Sequence, residues 1–193
     1  MIVRPNTLIG EHITLQPLSQ DDEAALIHVV KDGDLWDSKH TLVPSPEHVR
    51  PYIQRALRAM EEDKEYTFAI WHHEAQKIVG STKLRNIDPK NSCLEVAASF
   101  IAKSFQGTYV NSEAKLLLLE QAFEVWDLKR VKFVTDSGNT ASQKALERLG
   151  AIKETILHEQ EHMPDWNERD SIVYSILSSH WDACKKRLLV KSP

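Results

Sequence analysis

The stretch from 94 to 135 places the tightest constraint on how this chain can fold. An apolar segment at 94–101 runs through a polar loop into a leucine-, alanine- and glutamate-rich run at 113–126, the strongest helix in the sequence. A short apolar segment at 131–135 follows and reads as a buried strand. A second strand–helix–strand unit overlaps the first: 131–135, a helix at 140–149, and a strand at 152–157. Two such units imply an α/β fold with a mixed sheet covered on both faces. Neighbouring strands of such a sheet diverge to leave a crevice, the usual place for a ligand.

The remaining segments fit around that frame. Residues 12–18 alternate, with Ile13 and Leu15 on one face, and read as a strand. Ser19 then caps a helix, with Asp22 as the capping-box acid and Gly33 as the stop. A second helix starts at Ser45-Pro46, carries Val49, Ile53, Leu57 and Met60 as its stripe, and should be kinked or delayed by Pro51. Strands are expected at 66–71, 78–84 and 94–101, the first two joined by a hairpin turn at 72–76. In the helix at 140–149, Thr140 is the expected cap and Gln143 completes its box. A strand at 171–177 and a closing helix at 179–189 end the series. No repeat, low-complexity tract or linker interrupts the 193 residues, so one domain is expected.

Net charge is −4, which argues against a nucleic-acid partner. Two distant cysteines, Cys93 and Cys184, imply no disulfide framework. No apolar run approaches the length of a membrane span, and the opening residues lack the apolar core of a signal peptide, so the expected setting is cytoplasmic. His158-Glu-Gln-Glu-His162 fits the H-E-x-x-H zinc pattern. That pattern needs a helix to put both histidines on one face. Here a strand precedes it, Pro164 follows, and no third ligand stands at a suitable spacing, so no metal is expected.

The loop at 105–115, Phe-Gln-Gly-Thr-Tyr-Val-Asn-Ser-Glu-Ala-Lys, joins a strand to the start of the long helix. A helix start offers free N–H groups and a positive dipole end, where a polyphosphate can sit. Gly107 permits close approach, and Thr108 and Ser112 add hydroxyls; an ordinary capped helix start is the alternative.

The chain here resembles the GNAT superfamily of N-acetyltransferases, and within it the RimJ/RimL-type group. The resemblance is carried by residues 8–18 (Leu-Ile-Gly-Glu-His-Ile-Thr-Leu-Gln-Pro-Leu), Ile-Val-Gly-Ser-Thr at 78–82, Leu-Glu-Val-Ala at 94–97, and 106–115. It continues through Asn-Thr-Ala-Ser at 139–142, Leu149-Gly150, and Arg-Asp-Ser-Ile-Val-Tyr-Ser-Ile-Leu at 169–177. It implies the acyl-coenzyme A N-acyltransferase fold: a central mixed, mostly antiparallel sheet with a V-shaped splay. The family's pyrophosphate loop is Gln/Arg-x-x-Gly-x-Gly/Ala. Gln106 matches its first position, but Tyr109 stands at the central glycine and Asn111 at the last. A side chain at Tyr109 would hinder backbone approach if that residue needed positive φ.

The resemblance also implies acetyl-coenzyme A as donor and an amine, a protein N-terminus or a small molecule, as acceptor. Phe100 and Ile101 would bond the pantetheine. Gln106 and Gly107 belong to the same loop, and the amides of Thr108, Tyr109, Val110 and Asn111, with Ser112 beyond them, would take the pyrophosphate. Asn139 would hydrogen-bond the cofactor arm, with a turn or capping role as its alternative. Glu95, a carboxylate inside an apolar strand, is the first candidate base, and ordered water the alternative. Ser142 is the nominated acid for the departing thiolate, with Tyr109 as the alternative. Trp36, His40, Met163 and Trp166 would line the acceptor side. A homodimer is common in the family. A non-catalytic acyl-coenzyme A-binding module of the same fold is the competing reading.

Overall fold

The computed structural model describes the backbone of residues 4–162 and 168–189, and the side chains of 4–158 and 170–189. Eight strands build one sheet: β1 (Leu8–Ile9), β2 (Ile13–Pro17), β3 (Glu65–His72), β4 (Lys77–Asp88), β5 (Cys93–Ile101), β6 (Arg130–Asp136), β7 (Ile152–His162) and β8 (Glu168–Leu177). They lie in the order β1-β2-β3-β4-β5-β6-β8-β7, and β5–β6 is the one parallel pair among the described residues. The mixed, mostly antiparallel sheet expected from the sequence is therefore present.

Five helices cover it: α1 (Glu23–Lys31), α2 (Val49–Glu61), α3 (Val110–Glu120), α4 (Thr140–Leu149) and α5 (Trp181–Leu189). Before α1, the Asp22 carboxylate accepts from the Ser19 amide at 2.8 Å and from its hydroxyl at 3.2 Å. Pro51 delays α2 rather than kinking it. A short 3-10 turn, Pro46–His48, comes first, and Pro51 falls in the first α-helical turn, where its missing N–H costs nothing. The cap of α4 is Asn139, one residue earlier than expected: its side chain accepts from Ser142 N at 3.0 Å. Gln143 closes no box but donates to the Ser137 carbonyl at 2.8 Å.

Successive residues of β3 divide the core in two. Phe68 and Ile70 point into a larger cluster beneath α3, α4 and α5, while Ala69 points into a smaller one beneath α1 and α2. Leu118 and Leu119 of α3 are fully buried in the larger cluster, each stabilising the fold by roughly 1.5–3 kcal/mol relative to exposure. The helix starts at Val110, three residues before the sequence suggested, and ends in a wider π-type turn at Gln121–Val125.

The H-E-x-x-H segment lies on β7, a strand rather than the helix on which the zinc pattern works. His158 Nδ1 bonds Asp170 Oδ2 at 3.0 Å. Met163 and Trp166 lie outside the described residues.

Candidate active site

β5 and β6 pair over three residues only, Cys93↔Arg130, Leu94↔Val131 and Glu95↔Lys132, and then part. A bulge accompanies the parting. Between the pairs Ser81↔Phe100 and Lys83↔Ala97, two residues of β5, Ala98 and Ser99, oppose the single Thr82 of β4. Ala98 takes φ +46°, a conformation costly for a residue with a Cβ. The Thr82 and Ser99 hydroxyls meet at 2.7 Å, which fixes the bulge in place. A bulge leaves its extra residue outside the ladder and bends its strand. Here both effects open a V-shaped cleft of about 380 Å3 between Val96–Ser99 and Phe133–Asp136. A second arm of about 250 Å3 runs past Phe100, Ile101, Gln106 and Gly107. The arms share Thr41, Ser99 and Asn111.

At the mouth of this cleft the loop turns into α3. Gln106 Nε2 donates to the Ile101 carbonyl at 3.0 Å, which ties the loop to the end of β5. Gly107 has φ +76°, and a Cβ there would meet nothing within 4 Å, so the glycine serves backbone conformation rather than space. The Thr108 hydroxyl donates to the Phe105 carbonyl at 2.7 Å. The first helical bond of α3 runs from Glu113 N to the Tyr109 carbonyl at 2.9 Å. The amides of Val110, Asn111 and Ser112 therefore precede the hydrogen-bond ladder, Val110 N reaching only the Thr108 hydroxyl at 3.4 Å.

Tyr109 is the departure from the family loop, and the structure shows how it is accommodated. Its φ is −66°, so no glycine is needed there; Gly107 supplies the left-handed residue two positions earlier. Its ring packs 4.7 Å from the His12 ring, and its hydroxyl lies 2.8 Å from His72 Nε2. His72 Nδ1 accepts from Ala75 N at 3.1 Å, so Nε2 carries the proton and donates to the phenol oxygen. Burial pushes the Tyr109 hydroxyl up and holds His72 below its ordinary value. The phenol is thus committed to β3 and contributes no side chain to either arm, a position that does not suit an acid for a leaving group in the cleft.

Glu95 is buried as its apolar setting implied, but it is engaged. Its Oε1 accepts from Arg85 Nε at 3.0 Å and Nη2 at 2.7 Å, and its Oε2 from Asn86 Nδ2 at 2.8 Å. Arg85 faces Glu95 directly across the β4–β5 ladder. Arg85 lines the cleft; Glu95 does not. Ser142 and Asn139 both line it. Asn139 spends its side-chain oxygen on the cap of α4, which leaves its Nδ2 as a donor. Lys115 donates to Asn111 Oδ1 at 2.9 Å on the same wall. Of the acceptor-side residues, His40 is on the cleft, with Nδ1 3.0 Å from Asp136 Oδ1. Trp36 packs against the smaller core instead. Phe100 and Ile101 line the second arm, while Thr108, Val110 and Ser112 line neither. Residue-type reasoning alone missed Asp136 and Arg85, because their partners, His40 and Glu95, lie far off or across a hairpin. A register shift between Asp88↔Cys93 and Arg85↔Glu95 means that counting residues back from the turn does not find this pair.

A sheet parted at one parallel pair, with a helix start at the mouth of the gap, defines a ligand cleft of the acyltransferase kind. Residues 12–152 match the acetyltransferase (GNAT) domain family, and the chain belongs to it. It is similar to YdaF of Bacillus subtilis (strain 168), provisionally named a ribosomal N-acetyltransferase, at 30% identity over 56% of this chain and 58% of YdaF. An acetyltransferase structure from T. thermophilus, provisionally so named, superposes with a TM-score of 0.86 at 32% identity, covering 98% of each chain. RimL, the ribosomal L7/L12 alpha-N-protein acetyltransferase, shares the fold at a TM-score of 0.79 and 17% identity, over 89% of this chain and 94% of RimL.

Proposed function

We propose that this protein is a single-domain, RimJ/RimL-type N-acetyltransferase that moves the acetyl group of acetyl-coenzyme A to a primary amine by direct attack in a ternary complex. The observation that carries the proposal is the parted β5–β6 pair with the unladdered amides of α3 at its mouth. The donor set suits the substrate. The amides of Val110, Asn111 and Ser112, with Gly107 beside them, suit a diphosphate. The unpaired edge of β5 beyond Glu95 suits an extended amide-bearing arm that joins it as an added strand. Asn139 Nδ2 can donate to that arm. Main-chain groups beside the Ala98–Ser99 bulge would donate to the thioester carbonyl as it develops negative charge. The Ser142 hydroxyl, on the α4 wall of the cleft, would be the donor to the departing sulfur. Glu95 is better read as the anchor of Arg85 than as the base, since both its oxygens are engaged and it lines neither arm of the cleft.

The competing reading, a binding module without turnover, draws on Tyr109 in the glycine position and on the lack of a tyrosine in the 140–149 helix; the first ground weakens, because the backbone at Tyr109 needs no glycine. The decisive experiment pairs thermal shift with coenzyme A and a thiol-release assay across a panel of protein N-terminal peptides and small amines. At a hundredfold excess over Kd, coenzyme A should add about 2.7 kcal/mol of stability, and at least one amine should release thiol from acetyl-coenzyme A. Stabilisation without turnover would establish the module; no stabilisation at millimolar coenzyme A would refute both readings. Light scattering on the same samples tests the expected homodimer.

A further inference from the structure

We infer that His40, oriented by Asp136, is the general base that takes the proton from the attacking amine. The inference rests on the acetyl-transfer reading above and assigns a group that reading left open. Asp136 ends β6 with its side chain 1% exposed. Its Oδ1 accepts from the Gly138 amide at 2.6 Å and lies 3.0 Å from His40 Nδ1. A carboxylate can only accept, so Nδ1 carries the proton and the neutral ring keeps a bare lone pair on Nε2. That ring lines the cleft with its side chain 39% exposed, open enough to meet a substrate.

Two further features hold the pair together. The Ser38 hydroxyl accepts from His40 N at 3.3 Å and Thr41 N at 3.1 Å, a local turn that fixes the backbone bearing the imidazole. Gly138 gives the ring its room: a Cβ there would sit 2.8 Å from His40 Cε1 and 2.9 Å from Asp136 Oδ1. The other charged side chains on this cleft are cations, Arg85 facing Glu95 and Lys115 bonded to Asn111. Among the described side chains lining it, His40 alone offers a neutral nitrogen lone pair.

The step balances without further reagents. The amine nitrogen bonds to the thioester carbonyl carbon, and its proton passes to His40 Nε2. The C–S bond then breaks with its electron pair on sulfur. The thiolate takes a proton from the Ser142 hydroxyl, which is refilled from the imidazolium through solvent. Asp136 touches no reacting atom; it is a positioning residue that holds the tautomer and steadies the imidazolium.

The test has an arm that needs no turnover. In 15N-labelled protein above pH 8, with His40 assigned by loss of its signal in His40→Ala, the neutral ring should be protonated on Nδ1; an Nε2-protonated ring overturns the inference. In the thiol-release assay, His40→Ala should lower kcat about 100-fold or more, with the coenzyme A thermal shift unchanged and activity partly restored by added imidazole. Asp136→Asn should lower kcat about 10-fold or more while the KM for acetyl-coenzyme A stays within about threefold, the signature of lost orientation rather than lost binding. A His40→Ala enzyme within a few-fold of wild-type kcat refutes the assignment while leaving acetyl transfer intact. A wild-type protein that releases no thiol with any amine refutes the parent reading and this one with it.

Discussion

Replacing Tyr109 by phenylalanine removes one oxygen and tests the least familiar feature of the loop. The ring contact with His12 survives, because only the hydroxyl is lost. What changes is the partner of His72 Nε2–H. His72 is 5% exposed, and its Nδ1 is already used to accept from Ala75 N. The substitution therefore strands a buried donor, at a cost of about 1–3 kcal/mol. A domain of this size loses about 2–4 °C of melting temperature per kcal/mol, so the midpoint should fall by about 2–12 °C. Because the phenol points away from both arms of the cleft, kcat and coenzyme A affinity should stay within about twofold. Differential scanning fluorimetry and the thiol-release assay read the two quantities side by side. A loss of kcat beyond about 100-fold with an unchanged melting temperature would refute the reasoning, since it would place the hydroxyl at the leaving sulfur.

Ser142→Ala should lower kcat about 10-fold or more without moving the coenzyme A thermal shift, because the proposed reading gives its hydroxyl to the sulfur while its amide keeps the cap. Asn139→Ala should cost about 1 kcal/mol of stability through the lost α4 cap and also weaken coenzyme A binding, seen by isothermal titration calorimetry. Burial holds the His72 pKa below its ordinary 6.5. Its neutral form thus contributes stability that is fully present above pH 6.5 and is lost as pH falls through the depressed folded value. Melting temperatures taken from pH 7.5 to 5 should accordingly fall more steeply for wild type than for His72→Gln, and parallel curves would contradict this.

The sequence disclosed the succession of strands and helices because apolar period and helix boundaries are local properties. Leu15, Phe68, Leu118 and Val131 sit in patterns that a neighbouring stretch suffices to read. The site was less legible, for reasons of distance. Tyr109 looked like an obstacle in the loop because its partner, His72, is contributed by another strand, and a ring's direction follows from what it packs on. Glu95 was recognised as buried, yet its engagement by Arg85 depends on hairpin register. His40 was expected to line the acceptor side, but Asp136 lies 96 positions away and only the fold brings the two together. β1, with two residues, is too short to carry a period at all. The H-E-x-x-H spacing reads the same on a helix and on a strand, and only the neighbouring residues pointed to the strand that β7 is.

The three residue pairs that join β5 to β6 have a mechanical consequence. Among the described residues they are the only ladder bridging two sub-sheets, β1 to β5 on one side and β6, β8 and β7 on the other. An extended molecule lying in the gap would act as a ninth strand, clamping what is otherwise a hinge. Hydrogen exchange should then slow most at 96–101 and 133–136 when coenzyme A binds, and the melting of the two sub-sheets should become more tightly coupled.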